Sequence, residues 1–159
     1  FPENWTIKKI LKTTDNYPDF EFFAQAGGDA SGEVLSEKQL NRPAEGGAAI
    51  TVYSILKHEP IDLIKKWLDF FYLNSCGQCV PCREGLYRLR EIINSKEQNW
   101  QMFSEILSVM RETSFCGLGC SVHVPIIGYV NNVLSKQKDS KIKILNKNII
   151  NICDCFRQH

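Results

Sequence analysis

Ser75-Cys76-Gly77-Gln78-Cys79-Val80-Pro81-Cys82-Arg83-Glu84-Gly85 sets three cysteines at C-x2-C-x2-C spacing. A helical pattern opens near Pro81, with Leu86, Leu89, Ile92 and Ile93 as its apolar stripe, ending near Ser95. A fourth candidate thiol, Cys116, lies 34 residues after Cys82 in Phe115-Cys116-Gly117-Leu118-Gly119. This stretch divides the chain. The residues before it read as a small docking domain, and those after it as helices that close around the thiolates.

The helical pattern begins upstream of the cysteines. Pro60 suits the first position of a helix. Ile61, Ile64, Trp67, Leu68 and Phe71 share one face, so this helix should run to about Leu73. After the helix at Pro81, a third is predicted over residues 99–111, with Met102, Phe103, Ile106, Leu107 and Met110 inward. Ser121 can cap a fourth through Val124, Ile127, Val130 and Leu134, with Pro125 in its first turn. Four helices joined by short links predict an antiparallel four-helix bundle over residues 58–135.

Residues 1–57 read as a small α+β unit. Thr6 can cap a helix carrying Ile7, Ile10 and Leu11, which Tyr17-Pro18 should end. Phe20, Phe22 and Phe23 start an aromatic strand, Val34-Leu35 marks another, and residues 36–40 a short helical turn. Residues 48–53 are the clearest strand. The Gly27-Gly28-Asp29-Ala30-Ser31-Gly32 run superficially suggests a phosphate cradle. It has no G-x-x-x-x-G-K-[ST] pattern, so tight turns needing positive φ explain it better. Residues 136–159 form a Lys/Asn-rich tail in which Ile142, Ile144 and Leu145 fit strand or loop.

Composition narrows the class. The 159 residues are 43% hydrophobic and 23% charged, enough to bury a core without help from the cysteines. A net charge of +1 gives no reason to expect nucleic acid or an anionic membrane surface as partner. No apolar run reaches membrane-spanning length, and Phe1-Pro2-Glu3-Asn4-Trp5 is neither a signal peptide nor an initiator segment, so a fragment of a longer chain is expected. Without a secretory signal, seven cysteines with four at ligand spacing read as a reduced compartment and a metal or cluster site.

Thiolates are soft ligands that suit zinc or iron–sulfur clusters. Three cysteines from one turn can wrap three corners of a cubane, leaving the fourth to Cys116 on its glycine-rich loop. Cys120 is an alternative fourth ligand. The two-cluster ferredoxin run C-x2-C-x2-C-x3-C-P does not match, because position 86 is Leu86. Structural zinc usually pairs two C-x2-C knuckles, whereas Cys116 and Cys120 make C-x3-C. A zinc-knotted scaffold remains the alternative. A redox-active Cys79-Val80-Pro81-Cys82 thiol pair lacks the βαβ context that such chemistry favours. The surroundings suit an anionic cluster: backbone N–H groups at the helix start, Arg83, and the N–H groups of Gly77, Gly117 and Gly119. Cys153 and Cys155 fit free thiols on a tail better than a second site. His58, His123 and His159 do not group with carboxylates or serine, so no catalytic acid, base or nucleophile is expected.

The 75–85 stretch resembles the S-C-G-x-C-x-P-C-R-x-G signature of the NADH-binding flavoprotein subunit of respiratory complex I, shared with subunits of NAD-linked hydrogenases and formate dehydrogenases. Ser114-Phe115-Cys116-Gly117-Leu118-Gly119 resembles that family's second ligand segment. Ala26-Gly27-Gly28 and Gly46-Gly47-Ala48-Ala49-Ile50 are similar to its small β-grasp-like ligand-binding domain. The resemblance covers most of residues 5–135. It implies one [4Fe–4S] cluster held by Cys76, Cys79, Cys82 and Cys116, taking single electrons from reduced flavin mononucleotide and passing them to a partner iron–sulfur subunit. FMN and NADH belong to the family's N-terminal flavin domain, which these residues do not include, so NADH oxidation by this chain alone is not expected. The implied partners are that flavin domain and neighbouring iron–sulfur subunits, with no nucleic acid and no direct membrane insertion. The implied location is cytoplasmic, free or peripheral on the inner membrane through partner subunits. Cys120, a short Cys82–Cys116 gap and the tail cysteines depart from the family pattern.

Overall fold

Phe22–Ala26 (β1) is buried along its full length, because both of its faces are covered. The computed structural model describes residues 1–2, 4–44 and 49–137. Within them β1 is the centre of a three-stranded antiparallel sheet, between Glu33–Ser36 (β2) and Ile50–Ser54 (β3). Ala24 pairs with Leu35 on one side and Val52 on the other. Side chains alternate across a strand. Phe22, Ala24, Ala26 and Leu35 therefore face the helix Ile7–Thr13 (α1), packing with its Ile7 and Leu11. Phe23, Val34 and Tyr53 face the opposite way, into the larger core built by the helices.

Local chemistry explains the boundaries. Thr6 Oγ1 accepts from Lys9 N–H at 3.2 Å and caps α1 as the sequence predicts. The helix ends at Thr13, well before Tyr17-Pro18, because Asp15 takes a left-handed φ of 55° and Asn16 N–H turns back to the Leu11 carbonyl. Gly27 and Gly28 have φ of 115° and 75°, the positive values expected of this turn. A single helical turn, Gly28–Ser31 (α2), comes next. Residues 37–39 form the expected short turn, a 3-10 turn closed by a Ser36/Gln39 capping box. Phe20 lies outside the strand and Ala48 outside the described residues.

The α+β class is as expected, with a three-stranded antiparallel sheet as its β part. Pro60–Asn74 (α3), Val80–Asn94 (α4) and Trp100–Thr113 (α5) come in series, α3 packing on α4 and α4 on α5. Each is amphipathic. Pro60 stands at the first position of α3, and Asn99 caps α5 through Met102 N–H at 3.0 Å. Met102 is 48% exposed rather than inward, because the capped first turn of α5 carries it around to solvent. Ile61, Ile92 and Ile106 lie at the edges of their stripes and are only partly buried.

The last helical segment departs most from the sequence reading. Gly117–Ser121 (α6) and His123–Asn132 (α7) run almost continuously through helical Val122, so Ser121 is no cap. Its hydroxyl donates instead to Ala30 O at 2.6 Å, tying the glycine turn to the cysteine end of the helices. The buried residues of α7 include Ile126, Tyr129 and Val130, with Val122 and Val133 buried at its two ends, while Val124 and Ile127 are only partly buried. The reason is that α7 lies between two surfaces, touching α3 and α5 on one side and β2 on the other. At Gly128 a Cβ would stand 3.0 Å from Val34 N and 3.2 Å from Val34 O, so glycine permits this approach of helix to strand. Asn132 Nδ2 donates to Val34 O at 2.8 Å and completes the joint. One face of the sheet thus shares its core with the helices, and the other packs separately on α1. No helix among the described residues is long and apolar enough to cross a membrane.

Candidate metal centre

Residues 75–79 link the C-terminus of α3 to the N-terminus of α4. Ser75 caps α3 and Cys79 occupies the N-cap position of α4, with Pro81 in its first turn. Gly77 has φ of 71°, a conformation that favours glycine and folds the loop back. Its N–H donates to Ser75 Oγ at 3.2 Å, so it closes the turn and is not aimed at a ligand as the sequence reading expects. Arg83 Nη1 donates to Gly77 O at 3.0 Å and its Nε pairs with Glu84 at 3.1 Å. Arg83 braces the loop as well as charging its surroundings.

The second loop runs from α5 into α6. Ser114 caps α5, and Cys116 holds the N-cap position of α6 in extended conformation. Gly119 brings the two loops together: a Cβ there would meet Ser114 Oγ at 2.5 Å and Cys82 Cβ at 3.2 Å. Only glycine lets α6 lie this close to the cysteine turn.

The four cysteines divide into two buried and two exposed. Cys79 and Cys82 are buried, while Cys76 and Cys116 reach the surface. The backbone N–H of Phe115, and then that of Cys82, pull the Cys79 thiol below its ordinary pKa. Burial pushes the Cys82 thiol up. The Ser75 hydroxyl opposes the rise, and the neighbouring charges of Cys79, Cys116 and Cys76 add to it. Cys82 therefore lies within electrostatic reach of the other three thiols, drawn from both loops.

Cys120 turns elsewhere. Its Sγ donates to Ser114 O at 3.4 Å, and the carbonyl of Cys120 is 2.9 Å from His123 Nδ1. Cys76, Cys79, Cys82, Cys116 and Cys120 are all free thiols. Cys153 and Cys155 lie outside the described residues, as do Ile142, Ile144 and Leu145.

The donor set fits an iron–sulfur group. Four soft, reduced sulfurs come from two loops, and at Cys79 backbone N–H groups favour the thiolate form. Among the described residues no three His, Cys, Asp or Glu side chains are grouped to hold a single metal ion. The sequence reading missed Ser75 and Ser114 as parts of this site. Their positions flanking the C-x2-C-x2-C run and Phe115-Cys116 were the available signal.

Comparison with known proteins finds relatives for this region. Residues 62–137 match the model of the NADH-ubiquinone oxidoreductase-F iron–sulfur binding region. The match takes in all four candidate ligands and both loops. One subunit of the NADH-quinone oxidoreductase of Aquifex aeolicus is 26% identical over 99 residues, 55% of this chain and 23% of that protein. The NAD-reducing hydrogenase HoxS subunit alpha of Cupriavidus necator is 32% identical over 85 residues, 50% of this chain and 14% of that protein. The fold matches that of an NAD+-reducing [NiFe]-hydrogenase chain with a TM-score of 0.70 and 22% identity, over 82% of this chain and 24% of that one. The chain thus spans about a quarter or less of the relatives it matches.

Proposed function

We propose that Cys76, Cys79, Cys82 and Cys116 hold one [4Fe–4S] cluster, and that the chain carries electrons from a flavin reduced by NADH to a partner iron–sulfur subunit. The observation that carries this reading is the close approach of the two cysteine loops at Gly119, where a Cβ would stand 3.2 Å from Cys82 Cβ, inside the stretch that matches the iron–sulfur binding region. Four thiolates left together repel one another, and a cationic metal core turns that repulsion into ligation. When bound, the group supplies one-electron transfer.

The chain's own residues do the rest. The turn at Gly77 and the start of α4 present Cys76, Cys79 and Cys82 from one side, and Gly119 lets Cys116 close from the other. Leu86, Phe103 and Met110 belong to the core beneath the site and keep water from its inner side. Cys76, Cys116 and the 87%-exposed Phe115 lie at the outer edge, where a flavin domain and a partner subunit would approach. FMN and NADH would be bound by that flavin domain and not by these 159 residues. Cytoplasmic placement, through partner subunits, belongs to the same reading.

Iron and acid-labile sulfide on anaerobically reconstituted chain, with an EPR spectrum after dithionite reduction, test it. About four of each per chain and the signal of a reduced cubane are expected. Stoichiometric zinc that iron cannot replace would overturn the proposal in favour of a zinc-bound scaffold.

A further inference from the structure

Ser114 Oγ is buried and has no hydrogen-bond partner in the protein. The rest of the residue is engaged: its N–H donates to Met110 O at 3.1 Å and its carbonyl accepts from Cys120 Sγ at 3.4 Å. A buried hydroxyl without a partner is unfavourable. Its position suggests what it is for. It lies against Gly119, on the face where a Cβ would also touch Cys82 Cβ, and it directly precedes Phe115 and Cys116. Ser75 Oγ approaches the same cysteine from the opposite loop, 3.4 Å from Cys82 Sγ. Having accepted the Gly77 N–H, Ser75 has its own proton free for that sulfur.

We propose that the Ser114 hydroxyl donates a hydrogen bond to a sulfide of the bound cluster, and with Ser75 raises the cluster's reduction potential. This rests on the four-cysteine reading above. Ser114 is unpartnered in the protein alone because its acceptor arrives with the cluster. Reduction adds negative charge to the cluster, and a hydrogen-bond donor favours the reduced state. Gly119 is the space that lets the hydroxyl reach this position.

The experiment compares wild type with Ser114→Ala and Ser104→Ala. Ser104 carries the other buried, unpartnered hydroxyl among the described residues. It lies ten residues earlier on α5, about 15 Å along the helix. Iron and sulfide content is measured first, then the midpoint potential by EPR-monitored titration, then the melting of cluster-free chain. In Ser114→Ala the expectation is unchanged loading and an about tenfold less favourable reduction, a shift of about 59 mV to lower potential. Cluster-free Ser114→Ala should melt no lower than wild type, because removing an unpaired hydroxyl relieves a cost. Ser104→Ala should leave the potential unchanged. Loss of iron from Ser114→Ala alone, with cluster-free melting intact, would support the same contact by another route. Equal potentials in Ser114→Ala and wild type, equal shifts in both variants, or lower melting of cluster-free Ser114→Ala would overturn the proposal while leaving the four-cysteine site standing. Wild type that takes up no iron would overturn both.

Discussion

Trp67 Nε1 donates to Gln25 Oε1 at 3.0 Å, joining the central strand to the first long helix across 42 residues. Gln25 is only 1% exposed and uses its whole amide. Its Oε1 also accepts from Tyr53 Oη at 3.3 Å, and its Nε2 donates to the carbonyls of Gly28 and Gly32 at 3.2 and 3.3 Å. One side chain thus fixes the sheet, the glycine turn and α3. Gln25→Leu keeps similar bulk but takes away the acceptor of the Trp67 indole N–H and the Tyr53 hydroxyl and the amide donor to the Gly32 carbonyl, while the Gly28 carbonyl keeps the Gly32 N–H at 2.8 Å. The expected loss is about 2–4 kcal/mol in urea unfolding, at unchanged m-value. A loss below about 1 kcal/mol would mean that water replaces the amide.

Two glycines make opposite predictions. A methyl at Gly128 meets the backbone of Val34, which cannot move without shifting β2, so Gly128→Ala should cost about 1–3 kcal/mol and leave metal loading intact. A methyl at Gly119 meets Ser114 and Cys82 instead. Gly119→Ala should therefore lower iron content while α3, α4 and α5 persist by circular dichroism. Normal loading in Gly119→Ala would show that the two loops need not approach so closely.

The helices α3, α4 and α5 were legible because each buries one stripe against its neighbours, and such stripes print the helical period on the sequence. The Pro60 start and the Thr6 cap were legible for the same local reason. The path of α7 was not. It is covered on two sides, by helices and by β2, so Val122, Ile126 and Tyr129 are buried alongside Val130 and no single stripe marks its inner face. At the site the cysteine spacing named the candidate thiols. Spacing could not say that Phe115 N–H faces Cys79, because that is a contact between two loops, nor that Gly77 N–H is taken by the Ser75 side chain two residues earlier.

Cys116 and Cys120 are four residues apart but are expected to behave differently. Cys120 Sγ is held by the Ser114 carbonyl, while Cys116 stands exposed ahead of α6. Cys116→Ser should reduce iron and sulfide severely, as should Cys79→Ser. Cys120→Ser should load normally, since its hydroxyl can keep the bond to Ser114. Cys153→Ser should also load normally. Full loading of Cys116→Ser together with loss in Cys120→Ser would move the fourth ligand by one helical turn.

His123 makes stability depend on pH. Burial first lowers its pKa below the ordinary 6.5; the Cys120 carbonyl opposes this and the charge of Arg111 adds to it. The unfolded chain therefore takes up the proton at higher pH than the folded chain does. Stability from this group is complete above about pH 6.5 and falls as the pH drops toward the folded-state pKa. His123→Gln should remove that part of the slope and change stability less at pH 8. The check is urea midpoints of cluster-free wild type and variant between pH 8 and pH 5. A slope that survives in His123→Gln would assign the acid sensitivity to other groups.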